Sequence, residues 1–193
     1  MKPAVFLDRD GTIIEDRGYI ARLDDIVLFP WSARAIADLA AAGFLIIVVT
    51  NQAGIARGIF DESFVAAAHH RLSDLLRHDG ARIDAYYHCP HHPEGTVDGY
   101  RVACACRKPE PGMILEAARA LDVDVPSSFV VGDKWLDVEL AQRAGATGML
   151  VRTGYGRSAE RTRPAHVTPA AVVDTLADAA TWILERTRIP SSR

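Results

Sequence analysis

"FLDRDGTI", residues 6–13, places two aspartates two positions apart where an apolar run ends. The run over residues 4–7 predicts a buried β-strand, which Asp8 and Asp10 follow directly. Residues two apart in an extended chain lie on the same side, so both carboxylates can approach one chemical group. A turn or a helix cap also accounts for acids at a strand end. Residues elsewhere in the chain are needed to distinguish between these two interpretations.

The composition favours one soluble domain over residues 1–193. The chain has 193 residues, 49% of them hydrophobic, so it can bury a sizeable core. Its net charge of −3 indicates that it has no strongly basic face. We therefore expect no nucleic-acid or membrane partner. No apolar run approaches the roughly 18 residues of a membrane-spanning helix. The N-terminus has no signal-peptide pattern, so we expect a cytoplasmic protein, with a monomer as the default.

Short apolar runs alternate with amphipathic segments along the chain. The predicted strands cover residues 4–7, 44–49, 83–88, 128–131 and 147–151. The predicted helices cover residues 32–42, 61–78, 111–121, 136–144 and about 169–187. This order predicts an α/β fold, a Rossmann-like parallel sheet with helices on both faces. Only about 40 residues separate Asp10 from Thr50 and they already hold a helix and a strand, so we expect no separate cap domain.

Polar side chains follow four of the predicted strands, where ligands bind in parallel sheets. In chain order they are Asp8 and Asp10; Thr50, Asn51 and Gln52; Arg107 and Lys108; and Asp133 and Lys134. Carboxylates are ligands for Mg²⁺, and an aspartate can attack phosphorus. Lysine and threonine can hold the oxygens of a transferring phosphoryl group. The combination predicts magnesium-dependent phosphoryl transfer at one edge of the sheet.

Each of these residues taken alone has a simpler explanation. Lys108 resembles a solvated surface lysine, and Thr50 the last residue of a strand. Asp133 could merely cap the helix that follows it. Asp137, within that helix, is predicted to be mainly exposed.

Three cysteines and several histidines are concentrated in a loop at residues 89–106. The order C-x-H, twelve residues, then C-x-C gives the candidate ligands Cys89, His91, Cys104 and Cys106. Three thiolates and one imidazole suit tetrahedral Zn²⁺, and four protein ligands indicate a structural site. His88 or His92 could replace His91 sterically, and free structural thiols are the alternative. An odd number of cysteines argues against a simple disulfide framework.

Together the strand-end residues resemble the phosphatases of the haloacid dehalogenase superfamily. The stretch Asp8-Arg-Asp-Gly-Thr is similar to the first motif of that superfamily, and Thr50 to the second. Lys108 is similar to the third motif, and Gly132-Asp133-Lys134 to the fourth. The resemblance covers roughly residues 4–155.

Within the superfamily, the chain is most similar to the heptose bisphosphate phosphatases, and the related histidinol-phosphate phosphatases share much of the pattern. The similar stretches are "FLDRDGTI", "VVTNQAGIARG", "YYHCPHHPEG", "CACRKPEPGM" and "VGDKWLD". The resemblance implies hydrolysis of a small phosphorylated sugar, most simply the C7 phosphate of D-glycero-D-manno-heptose 1,7-bisphosphate. Histidinol phosphate is the main rival substrate.

The resemblance also implies a role for each motif residue. Asp8 is the nucleophile, and Asp10 protonates the leaving oxygen and then activates water. Thr50 and Lys108 steady the phosphoryl group. Mg²⁺ is bound by the Asp8 carboxylate, the Asp10 backbone carbonyl and Asp133.

Substrate and zinc residues follow from the same resemblance. The implied substrate-binding residues are Arg17, Tyr19, Asn51, Gln52, Arg107 and Lys134. The zinc ligands are Cys89, His91, Cys104 and Cys106, which would fix the adjacent Arg107 and Lys108.

Two other classes of protein share parts of this pattern. A signalling receiver domain also combines aspartate, threonine, lysine and Mg²⁺ on a parallel sheet. In a receiver the accepting aspartate follows a later strand, whereas here the aspartate pair follows the first. A zinc-stabilised binding protein without catalysis is the third possibility, and the intact acid, threonine and lysine set argues against it.

Overall fold

The computed structural model of the protein describes residues 1–187. Its centre is a parallel sheet of six strands in the order β3-β2-β1-β4-β5-β6. The strands are Ala4–Leu7 (β1), Leu45–Asn51 (β2), Ala85–Cys89 (β3), Phe129–Gly132 (β4), Thr147–Val151 (β5) and Ala171–Val173 (β6). The predicted parallel sheet is confirmed, and β1 lies between β2 and β4, where the direction of strand order reverses.

Helices cover both faces of the sheet, as predicted. They are Ser32–Ala41 (α1), Glu62–His78 (α2), Gly112–Leu121 (α3), Trp135–Ala144 (α4), Gly156–Ala159 (α5) and Leu176–Thr187 (α6). Helices α1, α2 and α6 pack on one face, and α3 and α4 on the other. Val5 and Leu7 point to the first face, while Ala4 and Phe6 point to the second. Burial on both faces explains why β1 is apolar at every position.

Local sequence signals fix the ends of several helices. The Asp61 side chain accepts a hydrogen bond from the Phe64 N–H at 2.8 Å and begins α2. After α1, Gly43 adopts a left-handed conformation with φ +96°, which ends the helix. Ser32 is the first residue of α1, and its hydroxyl donates to the Ile13 carbonyl at 2.7 Å. It therefore ties α1 to the segment that follows β1.

The predicted C-terminal helix over about 169–187 is wrong in its first part. Residues Ala171–Val173 form β6, which pairs with β5 at the edge of the sheet, and α6 begins at Leu176. The predicted helix includes the apolar residues 171–173 because three residues are too few to show the alternation that is typical of a strand. The predicted domain also includes residues 188–193, which lie outside the described residues.

The carboxyl edge of the sheet is not covered by a second domain within residues 1–187. Between β1 and β2 the chain forms loops, a 3-10 helix at Leu23–Asp25 and α1. Between β3 and α3 it forms the irregular cysteine loop. The expected absence of a cap domain therefore holds for the described part of the chain. None of the helices in this part is long and apolar enough to cross a membrane.

Candidate active site

One pocket of about 400 Å³ lies at the carboxyl ends of β1 and β2. Nine of the residues predicted for catalysis or substrate binding line it: Asp8, Asp10, Tyr19, Thr50, Asn51, Gln52, Arg107, Lys108 and Lys134. They come from segments up to about 125 residues apart in the chain. The sheet therefore assembles the predicted cluster at the expected edge.

Arg17 is the predicted substrate residue that lies apart from this pocket. Its guanidinium donates to the Glu15 carboxylate at 3.0 and 2.7 Å, and both side chains are about half exposed. In the described chain, the pocket is lined instead by its loop neighbours Asp16, Gly18 and Tyr19. The prediction assigned the whole loop to the site, but the pairing with Glu15 holds the Arg17 side chain in solvent.

Lys108 joins the nucleophile candidate Asp8 to a second carboxylate. Its Nζ donates to Asp8 Oδ1 at 2.7 Å, to Asp137 Oδ1 at 2.6 Å and to the Val49 carbonyl at 3.0 Å. Burial opposes the charge of Lys108, but Asp137 and Asp8 outweigh it and raise the pKa to about 12. Lys108 is therefore a charged ammonium group that donates one of its three hydrogens to Asp8 and the other two to Asp137 and the Val49 carbonyl.

Asp137 was predicted to be exposed, and this is wrong. Its side chain is fully buried, with Oδ1 on Lys108 and Oδ2 accepting the backbone N–H of Lys134 at 3.2 Å. Asp137 is the third residue of α4, a helix that begins immediately after β4, so its side chain turns back towards the strand end. An acid at this position after "GDK" was the sequence signal that would have identified it.

Asp133 has the features of a metal ligand. It is fully buried, its Oδ2 accepts the Tyr155 N–H at 2.8 Å, and no group within residues 1–187 hydrogen-bonds to its Oδ1. Burial and the charge of Asp8 raise the pKa of Asp133 to about 8. Asp8, Asp133 and Asp137 offer oxygens within 4.8 Å of one another. Both oxygens of Asp137 are hydrogen-bonded to Lys108 and Lys134, so Asp8 and Asp133 are the carboxylates of this set that fit a hard cation such as Mg²⁺.

Two glycines allow the backbone to close around Asp133. Gly11 (φ +84°) and Gly154 (φ +52°) both approach its carboxylate so closely that a Cβ on either would overlap it. The Thr153 hydroxyl donates to the Gly11 carbonyl at 2.6 Å, which joins the end of β5 to the loop after β1. The sequence reading did not single out this fifth strand end, although a Thr-Gly pair directly after a strand was the available signal.

Asp10 is held by two neighbours on the opposite side of the pocket. Arg9 donates to its carboxylate from Nε and Nη2, each at 3.1 Å. Gln52 Nε2 donates to Asp10 Oδ2 at 3.1 Å and to Thr50 Oγ1 at 2.8 Å. Gln52 was predicted to bind substrate and Arg9 was given no role. Both side chains are instead bound to the predicted catalytic residues.

Asn51 and Arg107 connect the pocket to the cysteine loop. The Asn51 side chain donates to the Lys108 carbonyl at 3.2 Å and accepts the Lys108 N–H at 3.0 Å. Arg107 donates through Nη1 to the His91 carbonyl at 3.1 Å. The end of β2 and the cysteine loop are thus fastened to the segment that carries Lys108.

Lys134 and Asp16 form an ion pair at the pocket rim. Lys134 Nζ lies 3.3 Å from Asp16 Oδ2 and 4.6 Å from the centre of the Tyr155 ring. Burial lowers the pKa of Lys134, but Asp133 and Asp8 outweigh it and raise the pKa above its ordinary value. Asp16 was missed by the sequence reading, and it joins the loop that carries Tyr19 to the residue beside Asp133.

The cysteine loop brings the four predicted zinc ligands together. The sulfur atom of Cys106 lies 3.1 Å from that of Cys89 and 3.2 Å from that of Cys104. His91 Nδ1 lies 3.4 Å from Cys106 Sγ and 3.8 Å from Cys89 Sγ. A tetrahedral zinc ion with Zn–S bonds of about 2.3 Å holds its ligands at about 3.5–3.8 Å from one another. The three sulfur atoms lie 3.1 to 3.5 Å apart, so they would separate slightly around a bound ion, and the set of three thiols and one imidazole fits Zn²⁺.

The alternative histidines lie outside this cluster. His88 packs edge-on against His69, at 5.8 Å between ring centres. His92 accepts the Glu94 N–H through Nδ1 at 3.1 Å. Of the three candidates, His91 alone faces the thiols in the described chain.

The site combines an aspartate pair after β1 with Thr50 in β2, the buried Lys108 before α3 and Asp133 after β4. This combination defines a phosphatase of the haloacid dehalogenase class. Two family models match the chain. One describes HAD-hydrolase-like proteins and matches residues 105–179, and the other describes polynucleotide kinase 3 phosphatase and matches residues 4–141.

Comparison with similar proteins indicates a particular family within this class of phosphatases. A D-glycero-beta-D-manno-heptose-1,7-bisphosphate 7-phosphatase of Photorhabdus laumondii is 42% identical over 91% of this chain and 92% of that protein. One from Rhodopseudomonas palustris is 50% identical over 76% of this chain and 82% of its own length. The crystal structure of a D,D-heptose bisphosphate phosphatase from B. bronchiseptica, complexed with magnesium and phosphate, superposes with a TM-score of 0.84 at 36% identity, covering 96% of this chain and 99% of that one.

The chain therefore belongs to the haloacid dehalogenase superfamily, in the family of the heptose bisphosphate phosphatases. It is a phosphatase that hydrolyses a phosphate ester. This membership removes the receiver domain and the non-catalytic binding protein from consideration.

Proposed function

We propose that this phosphatase removes the C7 phosphate of D-glycero-D-manno-heptose 1,7-bisphosphate through an aspartyl-phosphate intermediate. The observation that carries the proposal is the fixed carboxylate of Asp8 in the pocket. Lys108 holds Oδ1 of Asp8 at 2.7 Å, and the second oxygen is left to attack phosphorus. The identity of the substrate is inferred from the names of the similar proteins, and the reaction mechanism is inferred from the geometry of the pocket.

In the first step, an oxygen of Asp8 attacks the C7 phosphorus and the bond between phosphorus and the sugar oxygen breaks. The departing oxygen takes a proton from Asp10, which lines the same pocket. Thr50 donates to a phosphoryl oxygen. The Lys108 ammonium, whose hydrogens are directed to protein acceptors, contributes its positive charge beside the reacting carboxylate.

In the second step, Asp10 removes a proton from water as that water attacks the phosphorus of the aspartyl phosphate. The bond between phosphorus and the Asp8 oxygen breaks, which releases inorganic phosphate and restores the Asp8 carboxylate. Asp10 has then regained the proton that it gave to the sugar. One residue can serve in both steps because its carboxyl group alternates between acid and base.

Asp8, the Asp10 backbone carbonyl and Asp133 would hold Mg²⁺. When bound, the ion supplies positive charge that neutralises the phosphoryl oxygens. The buried, unsatisfied Oδ1 of Asp133 supports this assignment.

Substrate recognition is proposed for residues at the open mouth of the pocket. Arg107 and Lys134 offer positive charge, which suits a substrate with a second phosphate. Tyr19 is about half exposed, and its ring can lie against the sugar. Asn51 lines the same surface while it braces Lys108. Arg17 is left out of this set because its guanidinium pairs with Glu15.

The rival substrate is histidinol phosphate, which has one phosphate and a cationic side chain. The test is phosphate release in the presence of Mg²⁺, with kcat/KM compared for the two substrates. We expect the heptose bisphosphate to be preferred by about 100-fold or more, which is roughly 2.7 kcal/mol of transition-state discrimination. A preference for histidinol phosphate, or equal slow rates on both, would retain the phosphatase chemistry and reject the substrate.

We also propose that Cys89, His91, Cys104 and Cys106 bind one structural Zn²⁺. The convergence of three thiols and one imidazole within 4.8 Å of one another supports this assignment. The cytoplasmic location, the monomeric state and the single domain over residues 1–193 stay predictions. Ultracentrifugation of the purified chain would test the monomer.

A further inference from the structure

Arg9 and Gln52 form a closed hydrogen-bond network with Thr50 and Asp10 at the floor of the pocket. The Arg9 guanidinium gives two hydrogen bonds to the Asp10 carboxylate and a third to Gln52 Oε1, each at 3.1 Å. Gln52 Nε2 donates to Asp10 Oδ2 at 3.1 Å and to Thr50 Oγ1 at 2.8 Å. Because a guanidinium can only donate, the amide oxygen of Gln52 must face Arg9, and this fixes the orientation of the amide.

The network engages the whole polar end of Gln52. Its oxygen accepts from Arg9, and its two amide hydrogens go to Asp10 and Thr50. Arg9 is 4% exposed and Gln52 is 5% exposed, so both side chains are almost entirely enclosed. Neither side chain is disposed to hold the sugar, and both end on residues assigned to the reaction.

We propose that Arg9 and Gln52 are positioning residues for the acid and base Asp10 and for the phosphoryl anchor Thr50. This inference rests on the proposed function. Oδ2 of Asp10 accepts from both Arg9 Nε and Gln52 Nε2, whereas Oδ1 accepts from Arg9 Nη2. Oδ1 thus has the freer lone pair and is the oxygen that carries the proton to the leaving group.

The same amide sets the direction of the Thr50 hydroxyl. Gln52 Nε2 donates to Thr50 Oγ1, so this oxygen serves as an acceptor on the protein side. Its own hydrogen is left to be donated to a phosphoryl oxygen. Because a single amide holds both groups, the general acid and the phosphoryl anchor keep a constant separation.

A misplaced general acid affects substrates unequally. A sugar alkoxide is a strongly basic leaving group and needs a proton as it departs, whereas 4-nitrophenolate is weakly basic and departs without one. The value of kcat/KM reports the steps up to departure of the leaving group, when that step is irreversible. A lesion that only loosens the fold would lower kcat/KM on both substrates alike.

The experiment compares Gln52→Met with the unaltered protein on heptose 1,7-bisphosphate and on 4-nitrophenyl phosphate. We expect kcat/KM on the sugar phosphate to fall by about tenfold more than on the aryl phosphate, a part of the full effect of a general acid. Gln142→Met is the matched control. Gln142 donates to the His166 carbonyl at 3.2 Å and accepts from the Thr168 N–H at 2.8 Å, away from the pocket. This control should alter neither rate.

A second variant keeps the test valid if Gln52→Met fails to fold. Arg9→Lys retains the positive charge but removes the planar guanidinium group that gives two hydrogen bonds to Asp10. It should show the same larger fall in kcat/KM on the sugar phosphate than on the aryl phosphate. Displacement of Thr50 would lower both rates in common, so the ratio of the two losses tests the positioning of Asp10. An unchanged ratio in both variants would overturn the proposal. Asp10→Asn is measured in parallel, to separate a failure of this inference from a failure of the proposed function.

If Asp10→Asn itself lacks the selective loss on the sugar phosphate, the proposed acid role of Asp10 fails. If it shows the loss and the other variants do not, only the positioning inference fails.

Discussion

The pocket and the cysteine loop are both clusters of side chains that can ligate a metal, but they are assembled in opposite ways. Lys108 reaches Asp8 across 100 residues of chain and Asp137 across 29. The four proposed zinc ligands instead come from one loop over residues 89–106. The first cluster depends on the order of strands in the sheet, and the second depends on the spacing of residues in a single segment.

The two regions also differ in what holds them in place. Asp8 and Lys108 sit at the ends of strands and loops packed into the buried core, so their positions are determined by hydrophobic burial. The loop between β3 and α3 forms no strand or helix in the described structure, and most of its residues are at least partly exposed. Such a segment has little apolar area to bury, and the proposed zinc would supply much of its order. We therefore expect changes in the pocket to affect chemistry, and changes in the loop to affect local structure.

The largest effect is expected from Asp8→Asn. Asparagine is nearly the same size but cannot act as the nucleophile, so phosphate release should fall on the order of 10⁴-fold or more. Lys108 would keep Asp137 and the Val49 carbonyl as partners, so the fold should persist. Phosphate release and circular dichroism measure the two properties. Substantial residual turnover would remove Asp8 from the nucleophile role.

An intermediate effect is expected from Asp137→Ala. Lys108 would lose one of its two buried carboxylates, which should lower the free energy of unfolding by about 3 kcal/mol. Displacement of Lys108 should also reduce kcat/KM by about tenfold to a hundredfold, because it orients the proposed metal ligand Asp8. Urea unfolding and steady-state kinetics test both.

Asp178→Ala is the matched control for this prediction. Asp178 is likewise the third residue of its helix, α6, and accepts the Thr175 N–H at 3.0 Å, but it lies at the surface. The control should lose only about 1 kcal/mol of stability and no activity. If the two variants behave alike, Asp137 acts as a helix cap and the buried pair with Lys108 contributes little.

The smallest effect on the reaction is expected from Cys106→Ser. The purified protein should contain about one equivalent of zinc, and the variant should lose most of it. Release of the loop would free the His91 carbonyl that Arg107 contacts, so KM should rise by about tenfold while kcat changes little. Metal analysis and kinetics check this. Absence of zinc from the freshly purified natural protein, or a fall in kcat as large as that in Asp8→Asn, would contradict the separation of the two regions.

Much of the active site was predictable because one rule covers it. Asp8, Thr50 and Lys108 sit at or near the carboxyl ends of strands, and parallel strands bring those ends to one edge. The rule failed for Asp137, because a charged residue inside a helix is usually exposed. It also failed for Arg9, whose position between the two proposed catalytic aspartates gives no indication of whether its side chain points inward.

The sequence by itself determined the fold class, the order of the chemical motifs and the three candidate zinc-binding cysteines, because these depend on hydrophobic period and short-range spacing. Which of three neighbouring histidines faces the thiols was decided by the tertiary structure. Tertiary structure decided which side chains share hydrogen bonds. The pairing of Lys108 with Asp137, the close approach of Gly154 to Asp133 and the network around Gln52 each join different segments of the chain. Such contacts depend on the direction in which each side chain leaves its backbone, and that direction is fixed only when the sheet and its helices have packed.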